Sequence, residues 1–181
     1  VHHVDIMTAY VNAPMDVNVY IVIPDGFTGA GEIGLLLKAM YGVKQAGRLW
    51  GIFLKKVILD EGGKQTDADA CVFTFGIGDT LVIVEIHVDD ILFVGPILEV
   101  VLRVKARISK HFEVRDLGVV SDYLGMKVRW RDGFVTLSNP RHTDGVIHDF
   151  GLANCKANVA PMAPGTVLGE EEALGEGNRY A

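Results

Sequence analysis

The sequence predicts an α+β fold, an antiparallel sheet with helices packed on one face. Three observations lead there. Short runs rich in β-branched and aromatic residues, such as VYIVIP, CVFTF and TLVIVEIHV, recur between turn residues. Two other segments, QAGRLWGIFLKKVILDEGG and PILEVVLRVKARISKHF, switch to a helical period. The order along the chain is strand, strand, helix, hairpin, strand, helix, hairpin, helix.

The opening VHHVDIMTAYV has strand character as far as Asp5, and NAPMD supplies turn residues before VYIVIP, a short strand ended by proline. In the first helix Leu49, Trp50, Phe53, Leu54, Val57 and Ile58 recur at helical spacing, with Lys55 and Lys56 on the far side and Gly62 and Gly63 closing it. CVFTF, the turn GIGD and TLVIVEIHV form a hairpin whose second strand runs into Asp89 and Asp90, and ILFVG returns as a third strand. The second helix has Pro96 in its first turn and a stripe of Leu98, Val101, Leu102, Lys105 and Ile108. FEVRDLG follows, then YLGMKVRW and FVTLS joined by RDG, then a short helix over roughly HTDGVIHDF. After Asn158 the chain is rich in Pro, Gly and Glu, and no element is predicted.

A chain of 181 residues suits one compact domain, or one with part of a second. Its hydrophobic content of 49% and mean hydropathy of +0.27 exceed what one small core needs, which suggests partner surface. The net charge of −6 argues against phosphate binding on average. Locally the balance reverses: residues 31–60 carry five basic and two acidic side chains, and residues 96–131 carry eight and four. Two distant cysteines, Cys71 and Cys155, form neither a disulfide framework nor a zinc ribbon, so an intracellular setting is expected, with cytoplasmic particle and nucleus not separable. No apolar run reaches the roughly 18 residues that span a bilayer, and no membrane partner is expected. The start has no signal-peptide character and reads like a chain beginning in mid-domain. His2, His3, His87, His142 and His148 show no metal-ligand spacing and read as surface or packing residues.

Asp89 and Asp90 lie between two apolar runs, and their plain reading is a solvated turn. Asp5 also ends an apolar strand and is followed by an aromatic, Tyr10. If those strand ends are neighbours, three carboxylates converge, repel one another and call for a divalent cation. Oxygen ligands favour Mg²⁺ or Mn²⁺. The chemistry that uses such a cluster is in-line phosphoryl transfer, where two metals about 4 Å apart act on the attacking and leaving oxygens. No G-x-x-x-x-G-K cradle is present, so a triphosphate would depend on metals and on the basic segment 31–60.

Five stretches then carry a recognisable ordered pattern: DIMTAYVNAPMDVNVYIVIPDGF, LLLKAMYGVKQAGRLW, DADACVFTF, EIHVDDILFVG and FEVRDLGVVSDYLGMKV. Over roughly residues 3–163 the chain resembles the reverse transcriptase of Ty1/copia-type retrotransposon polyproteins. FGLANCKANVAPM resembles the segment that follows the polymerase core there. The resemblance implies a polymerase palm with a ferredoxin-like core, partial fingers and the start of a thumb. It divides the chain into palm and part of the fingers over 1–118, a primer-grip-like hairpin and thumb or connection start over 119–158, and a flexible acidic tail over 159–181.

By the same resemblance Asp5, Asp89 and Asp90 are the catalytic carboxylates, with Ile6 offering a backbone carbonyl to the metal. Tyr10 would pack under the incoming sugar, its plain alternative being core packing. Gln45 and Lys44 would contact nucleotide or template, the alternative being a polar helix N-terminus. Tyr123, Leu124, Gly125 and Met126 would grip the primer end, or form an ordinary hairpin. His87 stands where the family has tyrosine, Gly47 where it usually has proline, and Gly51 where it often has tyrosine. Arg103, Lys105, Arg107 and Lys110 read as a solvated face, with an electrostatic track for a duplex as the lesser reading.

The implied activity is addition of deoxynucleotides to a primer 3′ end with two Mg²⁺ or Mn²⁺. The implied partners are an RNA or DNA template with primer and dNTP, and the remaining polyprotein domains (fingers, thumb, RNase H). The alternative is a catalytically silent retroelement relic acting at most as a weak nucleic-acid or protein-binding module. A third possibility, an unrelated ferredoxin-like binding domain, would place Asp5 far from Asp89 and Asp90.

Overall fold

A computed structural model of the chain describes residues 1–156 together with Met162 and Gly165. The tail anticipated over 159–181 lies outside the described residues except at those two positions, as does part of the segment after Asn154. The strands are β1 (His2–Ile6), β2 (Tyr20–Val22), β3 (Ile33–Leu35), β4 (Lys64–Gln65), β5 (Val72–Phe75), β6 (Val82–His87), β7 (Asp90–Val94), β8 (Val114–Val119), β9 (Asp122–Tyr123), β10 (Met126–Arg131) and β11 (Phe134–Ser138). The helices are α1 (Ala46–Asp60), α2 (Leu98–Ser109) and α3 (Pro140–Asp149). The chain forms two compact units, Val1–Ser138 and a second beginning at Asn139 that contains α3.

The fold is α+β with antiparallel sheets, as the residue pattern predicts. Six strands run in the order β4-β5-β6-β7-β1-β8, every neighbouring pair antiparallel. Side chains alternate across a strand, and the alternation assigns the two faces. Val4, Ile6, Val82, Val84, Ile91 and Phe93 point to one face, where they share a buried cluster with Trp50, Leu54 and Ile58 of α1 and Val101, Val104 and Ile108 of α2. Asp5, Glu85, Asp90 and Leu92 take the alternate positions and form the other, open face.

Two smaller sheets stand apart from the main one, β2–β3 and β9–β10–β11. The residue pattern had not separated them, because strand propensity carries no information about which strands pair. The β9–β11 sheet lies against part of the open face, and an apolar cavity of about 230 Å³ is lined by Leu92, Val94, Tyr123, Met126 and Trp130. The apolar excess in the composition is largely surface: Tyr20, Val22, Ile33 and Leu35 of β2–β3 and Phe134, Val135 and Leu137 of β11 are exposed. No helix of the described residues is long and apolar enough to cross a membrane.

The buried side of α1 follows the predicted stripe, with Phe53 only half-buried at its margin. On α2 the structure corrects the expectation. Val101, Val104, Lys105 and Ile108 are buried, whereas Leu98 and Leu102 are exposed. Two overlapping apolar stripes exist on this short helix, and contact with β6 and β7 selects the one centred on Val104. Lys105 is buried because its ammonium meets both carboxylate oxygens of Asp116 on β8, at 2.7 and 2.8 Å, while its stem lies along the core. It is therefore not part of a solvated basic face.

Candidate functional site

The site begins with a tight turn. His87 and Asp90 are cross-strand partners, so Val88 and Asp89 alone connect β6 to β7. Val88 has φ +58°, while Asp89 is outside the left-handed region, which defines a type II′ hairpin turn with Val88 at the position that glycine normally takes. A β-branched residue there is strained by about 1–3 kcal/mol and persists only if its surroundings over-determine it. Two hydrogen bonds do so. The indole Nε1–H of Trp50 donates to the Val88 carbonyl at 2.7 Å, and the Ile6 amide donates to the Asp89 carbonyl at 2.7 Å.

The second of those bonds ties the turn to β1, and strand register does the rest. Asp5 sits directly opposite Asp90, Asp90 opposite His87, and Asp5 opposite Arg115. Facing residues of antiparallel strands point the same way, so this row runs across four strands on the open face. Asp5 and the Asp89–Asp90 turn are thus neighbours at the ends of two inner strands, contrary to what an unrelated binding domain would require. Like charges in direct opposition destabilise a sheet unless they are compensated. Here Arg115 Nη1 lies 3.9 Å from Asp5 Oδ2, and His3 Nε2 lies 2.6 Å from Asp90 Oδ1.

Tyr10 borders this row from a 3-10 turn over Ala9–Asn12, closed by the Asn12 amide donating to the Thr8 and Ala9 carbonyls at 3.2 Å each. Its ring packs against the core and meets the Tyr41 ring at 4.3 Å between centroids. Burial raises the Tyr41 phenol pKa first, and the charges of Asp89, Tyr10 and Asp5 raise it further, which places Tyr41 within the field of the acidic row. An oxygen-only donor set of this kind suits a hard divalent cation. Among the described residues, however, no three His, Cys, Asp or Glu side chains are gathered as a ligand group. Asp5 and Asp90 bring carboxylate oxygens, the donor type a hard divalent cation prefers, to one row, while Asp89 is held beside them through its backbone.

The family described as reverse transcriptase (RNA-dependent DNA polymerase) matches residues 1–164 of this chain. The chain belongs to that family. The match extends to curated retrotransposon proteins, which identify this reverse transcriptase as a region of copia type. The chain is 31% identical to the Retrovirus-related Pol polyprotein from transposon TNT 1-94 of Nicotiana tabacum, over 90% of this chain and 13% of that protein. It is 29% identical to the putative transposon Ty5-1 protein of Saccharomyces cerevisiae, over 74% of this chain and 45% of the relative. With the Retrovirus-related Pol polyprotein from transposon RE1 of Arabidopsis thaliana it shares 26% identity, over 93% and 12%. This reverse transcriptase region thus spans less than half the length of these relatives. No solved structure matches it.

The remaining anticipated residues of the reverse transcriptase fall around the row to different degrees. Ile6 is buried and contributes its amide to the turn. His87 is exposed and opposite Asp90. Gln45 occupies the N-cap of α1 without a side-chain capping bond, and Lys44 before it is exposed. Among the described residues no hydrogen bond or ion pair joins either to the carboxylates of the row. Tyr123 and Met126 are cross-strand partners, with Leu124 (φ +48°) and Gly125 (φ +79°) making a type I′ turn. Tyr123 donates its hydroxyl to Glu85, and burial together with that bond pushes its phenol pKa up.

Gly47 and Gly51 line a separate cavity of about 420 Å³ with Tyr10, Phe73, Ile86 and Val88. A Cβ at Gly51 would meet nothing within 4 Å, so the cavity is open at that position. On α2, Arg103 pairs with Glu99, and Arg107 and Lys110 pair with Glu61, so these cations are matched by acids. Residue reasoning gave no site role to Tyr41, Glu85 or Arg115, placed Trp50 only on the apolar stripe of α1, and read His3 as a surface or packing residue. His3 had one available signal: it lies two residues before Asp5 and so shares its face of the strand.

Proposed function

We propose that this reverse transcriptase region is the palm of an RNA-directed DNA polymerase that adds deoxynucleotides to a primer 3′ end. The observation that carries the reading is the direct opposition of Asp5 and Asp90 on adjacent inner strands, beside the strained turn that bears Asp89. The connectivity supports it: β1, α1, β6, β7, α2 and β8 make a strand–helix–strand–strand–helix–strand unit with sheet order β6-β7-β1-β8, the ferredoxin-like arrangement expected of a palm.

Asp5, Asp89, Asp90 and the Ile6 carbonyl would hold two Mg²⁺ or Mn²⁺. Bound there, the ions supply activation of the attacking 3′ hydroxyl and neutralisation of the leaving pyrophosphate. The chain's own groups prepare the place. Arg115 offsets repulsion between the facing carboxylates, and the Trp50 and Ile6 hydrogen bonds fix the turn. The Tyr10–Tyr41 pair offers an aromatic surface beside the row, suited to packing under the sugar of an incoming nucleotide. Lys44 and Gln45 lie at the start of α1, where exposed polar groups can meet phosphate or template, and the Tyr123–Met126 hairpin is the element for the primer end. Template, primer and the other polyprotein domains are the partners this function requires.

Primer extension on an RNA template with Mg²⁺ or Mn²⁺ tests the reading. Incorporation by the chain that disappears in Asp89→Asn supports it. Incorporation equal in both removes the site assignment, and none in either favours the silent relic.

A further inference from the structure

Among the described residues two polar or charged side chains are buried, Lys105 and His3. Lys105 is explained by Asp116. His3, 6% exposed, is not used by the mechanism above, yet its partner is a carboxylate of the site rather than a backbone carbonyl. It stands opposite Leu92 and diagonal to Asp90, on the same face as Asp5. Its Nε2 reaches Asp90 Oδ1 at 2.6 Å. The ring is covered by Tyr123, which meets it edge-on at 5.5 Å between centroids and is itself tied to Glu85 through its hydroxyl. Residues from β1, β6 and β9 thus converge behind one carboxylate on β7. The facing carboxylate is held otherwise: Arg115, 63% exposed, approaches Asp5 only to 3.9 Å.

We propose that His3 is a positioning residue for Asp90, fixing the direction of its carboxylate and thereby setting the affinity of the acidic row for a divalent cation. This rests on Asp90 being a cation-holding residue, as the proposed function assigns it. A carboxylate at a strand end rotates freely unless something holds it. A buried imidazole clamped by an aromatic edge holds one oxygen and leaves the other for a cation. Hydrogen-bond partners that orient metal ligands are typically worth 10- to 100-fold in metal affinity.

The test is a Mn²⁺ titration of the full chain, following free Mn²⁺ by its electron paramagnetic resonance signal, with the unfolding midpoint of each variant recorded alongside. Asp90→Asn is expected to abolish saturable binding. His3→Leu, which fills the site but donates nothing, is expected to raise the Mn²⁺ dissociation constant about 10-fold or more. His3→Gln, whose amide can donate to the same oxygen, recovers most of that loss. A purely structural histidine would lower the unfolding midpoint and leave the dissociation constant of the folded protein unchanged; that result overturns the inference while the site assignment stands. Should His3→Leu fail to fold, Tyr123→Ala frees the imidazole and has to raise the constant, an unchanged value again being fatal. Absent Mn²⁺ binding, or binding indifferent to Asp90→Asn, removes the cation-site assignment and this inference together.

Discussion

Val88 is the residue on which the geometry of the acidic turn depends. Its positive φ is unfavourable for a β-branched side chain, and the Trp50 indole is the side-chain group that holds its carbonyl. Trp50 is itself fixed by an edge-on contact with Phe112 at 5.3 Å, so a core aromatic transmits rigidity to the site. Trp50→Phe keeps most of the packing but leaves that carbonyl without its donor. The expected cost is about 1–3 kcal/mol, read from the denaturant midpoint. An unchanged midpoint would mean that water replaces the indole at no cost. At this scale the three aspartates were readable from the chain because each interrupts an apolar run. Tyr41 and Arg115 were not, since Arg115 meets Asp5 only after β1 is placed beside β8, and Tyr41 comes near the row only through its ring contact with Tyr10.

Among the elements, the joint between α1 and α2 has a definite electrostatic centre. Glu61, just past the end of α1, receives Lys110 at 2.7 Å, His111 at 2.6 Å and Arg107 at 3.2 Å. Hydrogen bonds from Lys110 above all, then His111 and Arg107, lower its pKa to about 2 from an ordinary 4.5. The folded state therefore favours the charged carboxylate, and the unfolded chain takes up the proton first on acidification. The stabilisation is complete above pH 4.5 and is lost as pH falls through about 2. Denaturant midpoints measured from pH 7 to pH 2 for the chain and for Glu61→Gln are expected to differ most at neutral pH and to converge in acid; parallel curves would remove Glu61 from the acid response. The helices themselves were readable from periodicity, but their mutual docking was not. The α2 stripe was misplaced by one set of leucines because a 12-residue helix offers two apolar seams and only the sheet chooses.

At the scale of the whole molecule, the buried core among the described residues lies in the unit Val1–Ser138, from Val4 to Val128. A chain ended after Ser138 is accordingly expected to unfold in one cooperative transition near the midpoint of the full chain. Loss of cooperativity in chemical denaturation would show that the region from Asn139 belongs to the same folding unit. The apolar faces of β2–β3 and β11 answer the high hydropathy: the excess is not core but surface.

By itself the sequence determined what local spacing can encode: two helical periods, the strand runs, the tight turn between them, and the placing of aspartates where apolar strands stop. Family membership was also readable there, because it rests on ordered motifs. The tertiary structure alone decided that β1 enters between β7 and β8, that Asp5 therefore faces Asp90, and that His3 reaches Asp90. Strand order and register are set by non-local pairing and by which face is buried, and a one-residue slip would send every one of these side chains to the opposite face.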